Sequence, residues 1–428
     1  MRRFLIVAVI MVIGLMLYAC GPKRDGGSPG EAPKGTDHQG SVSIGGVSGD
    51  SIALEQLQMS DTEAFSRAED IVQSMTREEK IAQMFLVNMS ALDLSQTEGK
   101  KAGKGRITEV SEEAKNWLAT YPVGGIILTE DNVDSADQAK QMIQDLQDSV
   151  SGSALYIAVE EEGGGEHSFS GKVEDLNVAG YMMAADIGDS MTEDQIYQTA
   201  SRIAEELRTW GINMNLGPVA DIASSRNTGY KRRCFSTDAS RVSKAVSSYV
   251  EGMRDHALAT SLKYFPGIGN VPGDYTNEIL KNNDSLMTLR SENFKMYSAG
   301  IKAGTDCIMM SNVAVPKITV DEKLPAFMSG DIVTSILRQE LDFEGVILTS
   351  DLNLPVLTQN YKQEELAIKA VKAGCDMLVV PADFRAAYEG LLAAVQSGQI
   401  DEKVINTSVR RILQNKIQRG IYVLENNN

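Results

Sequence analysis

A chain of 428 residues, 43% hydrophobic and 23% charged, carries enough apolar surface for a large folded core. Acidic residues outnumber basic ones 58 to 41; the net charge of -17, with no compensating basic stripe, repels phosphate backbones and excludes nucleic-acid binding. Length alone would allow two or three domains, so the pattern along the chain must decide the count.

Arg2 and Arg3 open the chain, an apolar run from Phe4 to Leu17 follows, and Leu17-Tyr18-Ala19-Cys20 ends it. The run is short for a membrane span, and small Ala19 before Cys20 reads as a bacterial lipoprotein processing site. Residues 1–19 are then a signal peptide and Cys20 the lipidated N-terminus; a plain signal anchor is the alternative. Residues 20–60 are rich in Gly, Ser, Pro and charge with almost no aromatics, so they read as a disordered tether. The expectation is an exported monomer, held by lipid on the outer face of the cytoplasmic membrane without spanning it.

From Asp61 the periodicity changes. Short apolar runs occur at Ile81–Met89, Gly125–Leu128, Ala154–Val159, Ile212–Leu216, Ser261–Phe265, Asp306–Met310, Gly345–Thr349 and Asp376–Val380. Their near-continuous hydrophobicity fits strands buried on both faces, as in a parallel sheet. Helical spacing fills the gaps over Ser111–Thr120, Asp134–Val150, Thr192–Trp210, Ala239–His256, Ser329–Leu341 and Gln363–Ala373, and continues over Phe384–Ser397 and Glu402–Gly420. Eight β/α units predict one (β/α)8 TIM-type barrel over residues 61–424, with its site at the strand C-terminal ends. Past Cys20 only Cys234, Cys307 and Cys375 remain, widely spaced and odd in number, which argues against a disulfide framework or a zinc site. No metal or cofactor is expected.

Six segments carry a family resemblance: Met75-Thr76-Arg77-Glu78-Glu79-Lys80-Ile81-Ala82-Gln83-Met84, Val123 to Leu128, Gly211 to Ile222, Arg233 to Asp238, Lys263-Tyr264-Phe265-Pro266-Gly267-Ile268-Gly269, and Phe343 to Leu352. Together they resemble glycoside hydrolase family 3, and within it the single-domain β-N-acetylglucosaminidase (β-hexosaminidase) branch, over about residues 65 to 420. The resemblance implies retaining chemistry, in which a carboxylate attacks the anomeric carbon and a second group protonates the leaving oxygen. In that branch the nucleophile is an Asp directly after Ser at the tip of the seventh strand. Laid without a gap on Gly345 to Leu352, that position holds Ser350, and the next Asp is Asp351. The branch's acid/base is a loop His held by an Asp two residues earlier. Here the Asp is Asp274, but the His position is Thr276.

Further histidine positions hold Tyr264, Ile268 and Asn312, and the usual Asp-Gln-Glu-Gly-Gly-Arg reads Glu160-Glu161-Glu162-Gly163-Gly164-Gly165. Of three histidines, His38 falls in the tether, His256 on a helix, and His167 alone near the barrel mouth. By resemblance Glu160, Arg233, Lys263, Tyr264 and Asn312 are the substrate-binding candidates. Ser350 lacks an adjacent base, and Thr276 is no proton donor near neutral pH. Asp351 is the remaining candidate nucleophile, with one of Glu160 to Glu162 as donor. Alternation along a strand turns it away from the mouth unless the strand bulges there.

Plainer roles compete with each assignment. Asp221, Asp274 and Asp351 are suited to capping turns, Lys263 and Arg233 to pairing with the Glu cluster, and Trp117 and Trp210 to core packing. The glycine run lacks the Lys that follows in phosphate cradles, whereas Tyr264 offers a sugar a flat, polar-tipped platform. Two functions follow as expectations. One is a surface lipoprotein that recognises β-linked N-acetylglucosamine-type glycans with hydrolysis lost or much reduced; the other is an active divergent β-N-acetylhexosaminidase using Asp351.

Overall fold

A computed structural model describes residues 59–92, 106–150, 152–163, 169–174, 176 and 184–422. The signal segment, Cys20 and the tether as far as residue 58 lie outside these residues. Ser60, assigned to the tether by composition, already caps a helix by accepting from the Glu63 amide.

Eight strands, β1 (Phe85–Asn88), β2 (Gly125–Ile127), β3 (Tyr156–Val159), β4 (Met214–Asn215), β5 (Ala259–Phe265), β6 (Cys307–Met310), β7 (Val346–Asp351) and β8 (Met377–Val379), pair in parallel in sequence order. β1 also pairs with β8, so the barrel closes. Every residue of β3 is fully buried, which is why these strands read as continuous apolar runs instead of alternating ones.

Local chemistry sets the helix ends. Thr76 and Glu79 form a capping box that starts the helix Arg77–Gln83, so Ile81 to Gln83 are helical and the first strand begins at Phe85, later than the apolar run suggests. Ser111, Ser135, Asp238 and Asp383 cap Glu112–Thr120, Ala136–Asp148, Ala239–Arg254 and Phe384–Gln396. Gly374 ends the helix Gln363–Ala373 at φ 111°, a left-handed conformation that other residues adopt only under strain. The stretch expected as a helix over Ser329–Leu341 winds from Asp331 to Glu340 with π-type bonding.

The last helix, Glu402–Gln418, lies across the floor formed by the strand N-terminal ends. Asp376, just before β8, accepts from Ser408 at 2.8 Å and pairs with Arg411 and Arg338. Asp306, just before β6, pairs with Arg419, and Tyr156 donates to Asn415 at 2.7 Å. These polar contacts close the floor and leave the strand C-terminal ends as the open face. Trp117 and Trp210 are buried, Trp117 against Phe384 and Tyr121, in line with core packing. Cys234, Cys307 and Cys375 are buried and free. Among the described residues no helix is long and apolar enough to cross a membrane.

The floor contains one costly group. Lys416 is fully buried with neutral partners, Gln83 Oε1 at 2.9 Å and Ser153 Oγ at 3.4 Å, and burial lowers its pKa from 10.5 to about 7. The folded chain therefore binds this proton more weakly than the unfolded one. The stability so contributed is present above the unfolded value and lost as pH falls from 10.5 through about 7. Between pH 7 and 9.5 the wild type should gain stability over Lys416→Met, by at most about 1.4 kcal/mol per pH unit. Urea unfolding of both at the two pH values checks this, and parallel profiles would contradict it.

Candidate active site at the barrel mouth

β3 delivers three glutamates to the mouth, and each is used differently. Glu160 remains partly open, its side chain 43% exposed. Glu161 is buried, and its carboxylate accepts from the Gly163 and Ser170 amides. Its backbone is bracketed by Asn215, whose side chain accepts from the Glu161 amide at 2.9 Å and donates to its carbonyl at 3.0 Å. Glu162 is buried as the centre of an ion cluster.

Into that carboxylate the Arg233 guanidinium donates twice, at 2.7 and 2.6 Å, and Lys263 Nζ contacts the same group. Lys263 also reaches Glu160 at 3.0 Å. Burial would raise the Glu162 pKa, but Lys263 and Arg233 outweigh it and hold the carboxyl down at about 2. Burial likewise disfavours the Lys263 charge, and Glu160 and Glu162 reverse that and hold its pKa well above the ordinary lysine range. Both cations are thus spent on the glutamates, the plainer of the two roles read from sequence.

Arg233 also donates to Tyr264 Oη at 3.0 Å and Tyr275 Oη at 3.1 Å, and lies 4.7 Å from the Tyr230 ring centroid. Burial raises the Tyr264 pKa, with Lys263 and Arg233 opposing, so its phenol stays protonated. Tyr264 and Tyr275 pack on a second apolar cluster of Val219, Ala223, Tyr230, Cys234, Ile268, Val271, Leu280 and Val313. Tyr264 and Ile268, which the family resemblance sets at histidine positions, are part of an aromatic and aliphatic wall. Asn312, at a third such position, donates to the Tyr275 carbonyl at 2.7 Å and tethers the loop.

That loop carries Asp274 and Thr276. Thr276 donates its hydroxyl and its amide to Asp274 Oδ1, and Asn277 donates to Oδ2 at 2.6 Å. These bonds, the Thr276 hydroxyl first, hold the Asp274 carboxyl below its usual range. Asp274 is exposed and closes a turn. Val356, beyond β7, donates its amide to the Thr276 carbonyl at 3.1 Å, joining this loop to the β7 loop. Asp221 is also a brace: buried, it accepts from the Ile222, Ile268 and Gly269 amides.

The β7 tip departs from simple alternation. Lys263, Met309 and Leu348 share a register, so Ser350, two residues on, faces inward with Lys263. Against β8, however, Leu348 pairs with Met377 and Asp351 with Val379, three steps along β7 for two along β8. This bulge returns Asp351 to the inward side, the exception to strand alternation that the sequence left open. Its half-buried carboxyl is raised from 3.8 to about 7, by burial first and by Glu160 second, with Lys263 opposing. Ser350 is 4% exposed, and its hydroxyl has no partner among the described residues. His167 lies outside the described residues, and His256 sits just past the helix Ala239–Arg254.

Tyr275, Asn215 and Ser311 escaped the sequence reading. Asn215 had a signal, a polar residue inside an apolar strand. Tyr275 had only its place between Asp274 and Thr276.

A closed parallel barrel with a charged cluster at its strand C-terminal ends is a (β/α)8 barrel with its site at the mouth. The sequence profile "Glycosyl hydrolase family 3 N terminal domain" matches residues 76–415, and the chain belongs to glycosyl hydrolase family 3. It is 31% identical over 288 residues to a beta-hexosaminidase of Idiomarina loihiensis, covering 66% of this chain and 84% of that protein. It is 29% identical over 279 residues to a beta-hexosaminidase of Stenotrophomonas maltophilia, covering 64% and 80%. A family 3 beta-N-acetylglucosaminidase from Paenibacillus sp. str. FPU-7 superposes with TM-score 0.72 at 28% identity, over 83% of this chain and 65% of that one. A Beutenbergia cavernae beta-N-acetylhexosaminidase shares the fold with TM-score 0.68 at 24% identity, over 79% and 98%.

Removing Glu162 should strand two buried cations. Glu162→Ala is expected to cost about 3–5 kcal/mol in equilibrium urea unfolding near neutral pH. With its pKa lowered, the Glu162 contribution is present above about 4.5 and fades as pH falls toward about 2, so the wild-type advantage should shrink on acidification. A cost below about 1 kcal/mol would contradict the assigned role.

Proposed function

We propose that this chain is a glycan-recognising member of family 3, binding β-linked N-acetylglucosamine-type saccharides with hydrolysis lost or much reduced. One observation carries the reading: at the position that the family resemblance gives to the nucleophile stands Ser350, a buried hydroxyl that is hydrogen-bonded to no base among the described residues. The acid/base position supports it, since the Thr276 hydroxyl is bonded to Asp274. Losing one reacting group commonly costs about 10⁴ to 10⁶ in rate, and two positions have changed. Export and lipidation at Cys20 belong to the same proposal, supported by the basic start, the short apolar run and the small residue before Cys20, and a monomeric state is proposed with them.

The bulge at β7 favours a second reading. Asp351 faces inward, and Glu160 is the only one of the three glutamates left half-open to act as donor. A divergent hydrolase would use Asp351 to attack and Glu160 to protonate the leaving oxygen.

The two readings separate on purified full-length chain with a chromogenic β-N-acetylglucosaminide. The first expects background turnover from the wild type and from Asp351→Ala, and a gain of at least about 10³ in the Ser350→Asp/Thr276→His double variant. Wild-type turnover that Asp351→Ala abolishes would replace it with the second.

A further inference from the structure

The mouth's charges do not balance, and the surplus is acidic. Two cations, Lys263 and Arg233, are buried at 0% and 5% exposure and answered by two carboxylates, Glu160 and Glu162. Asp351 is a third carboxyl on the same inward side, with no ion pair of its own among the described residues. What the cluster turns toward solvent is therefore carboxylate, on Glu160 and Asp351, while the cations stay beneath.

Two hydroxyls independently mark the same place as built for a polar ligand. Ser350 Oγ and Ser311 Oγ, on residues 4% and 1% exposed, have no partner among the described residues. By register both share the inward face with Lys263: Met309 pairs with Leu348, and the two serines lie two residues further along their chains. A hydroxyl both donates and accepts, so two adjacent unpartnered ones suit the hydroxyls of a sugar ring.

Resting on the glycan reading above, we infer that this mouth selects a sugar bearing a free amine, its ammonium held by Asp351 and Glu160 and its hydroxyls by Ser350 and Ser311. An ammonium brings three donors and a positive charge to Asp351, which has no ion pair among the described residues, and to Glu160, whose half-exposed carboxylate meets only Lys263 from beneath. An acetamide brings one donor and no charge, and would cover Asp351 without answering it, which is unfavourable. Within N-acetylglucosamine-type glycans, the favoured residue is thus one that has lost its acetyl group, and the N-acetylated residue binds more weakly.

Titration calorimetry of the purified full-length chain with the β-1,4-linked disaccharides of glucosamine and of N-acetylglucosamine tests this. The amine disaccharide should bind at least about tenfold tighter, as expected of charge-assisted hydrogen bonds. Asp351→Asn and Glu160→Gln should each reduce that preference, and the double variant should remove it; thermal unfolding confirms that each variant is folded. Should Asp351→Asn fail to fold, half-exposed Glu160→Gln carries the test alone. Equal or tighter binding of the N-acetylated disaccharide, or a preference that survives the double variant, overturns the inference and leaves glycan recognition standing. Failure of both disaccharides to bind overturns the two together.

Discussion

The buried carboxylate of Glu162 is the constraint on which the mouth depends. It sits at the end of β3 and draws in Arg233 from the segment after β4 and Lys263 from β5, so one ion cluster ties neighbouring sectors of the barrel together. Each partner alone would be expensive to bury; assembled, they hold Glu162 ionised and fix the positions of Glu160, Tyr264 and Tyr275 around them. The cluster explains how the barrel keeps an ordered, charged mouth without help from Ser350 or Thr276. The side chains that define the pocket are held by one another, independent of the reacting pair.

The residues that the family resemblance places at altered positions have other partners here. Tyr264 and Ile268 pack into the apolar wall, Asn312 donates to a loop carbonyl, and Thr276 closes a turn with Asp274. Ser350 differs: its hydroxyl, at the tip of β7, has no partner among the described residues, and the bulge folds Asp351 in beside it.

The barrel was legible because buried parallel strands write themselves as apolar runs, and all eight lie where such runs fall, as the four buried residues of β3 illustrate. The first strand was read too early because Ile81 and Ala82 are as apolar as a strand; the capping box at Thr76 and Glu79 decides for helix. At the site, motif spacing found Glu160, Arg233, Lys263 and Tyr264, since chain order fixes which strand end each occupies. Alternation failed at Asp351 because a bulge is a relation between two strands, and nothing in the β7 sequence alone announces the extra residue against β8. Tyr275 went unseen for a similar reason: its value lies in the distance to Arg233, which spacing does not encode.

The central claim is that this mouth binds without a working nucleophile. Intact-mass spectrometry after incubation with an activated 5-fluoro β-N-acetylglucosaminide, which traps any glycosyl-enzyme intermediate, tests it most directly. The account predicts an unchanged protein mass. A gain of one fluorosugar, mapped to the peptide that contains Asp351, would contradict it.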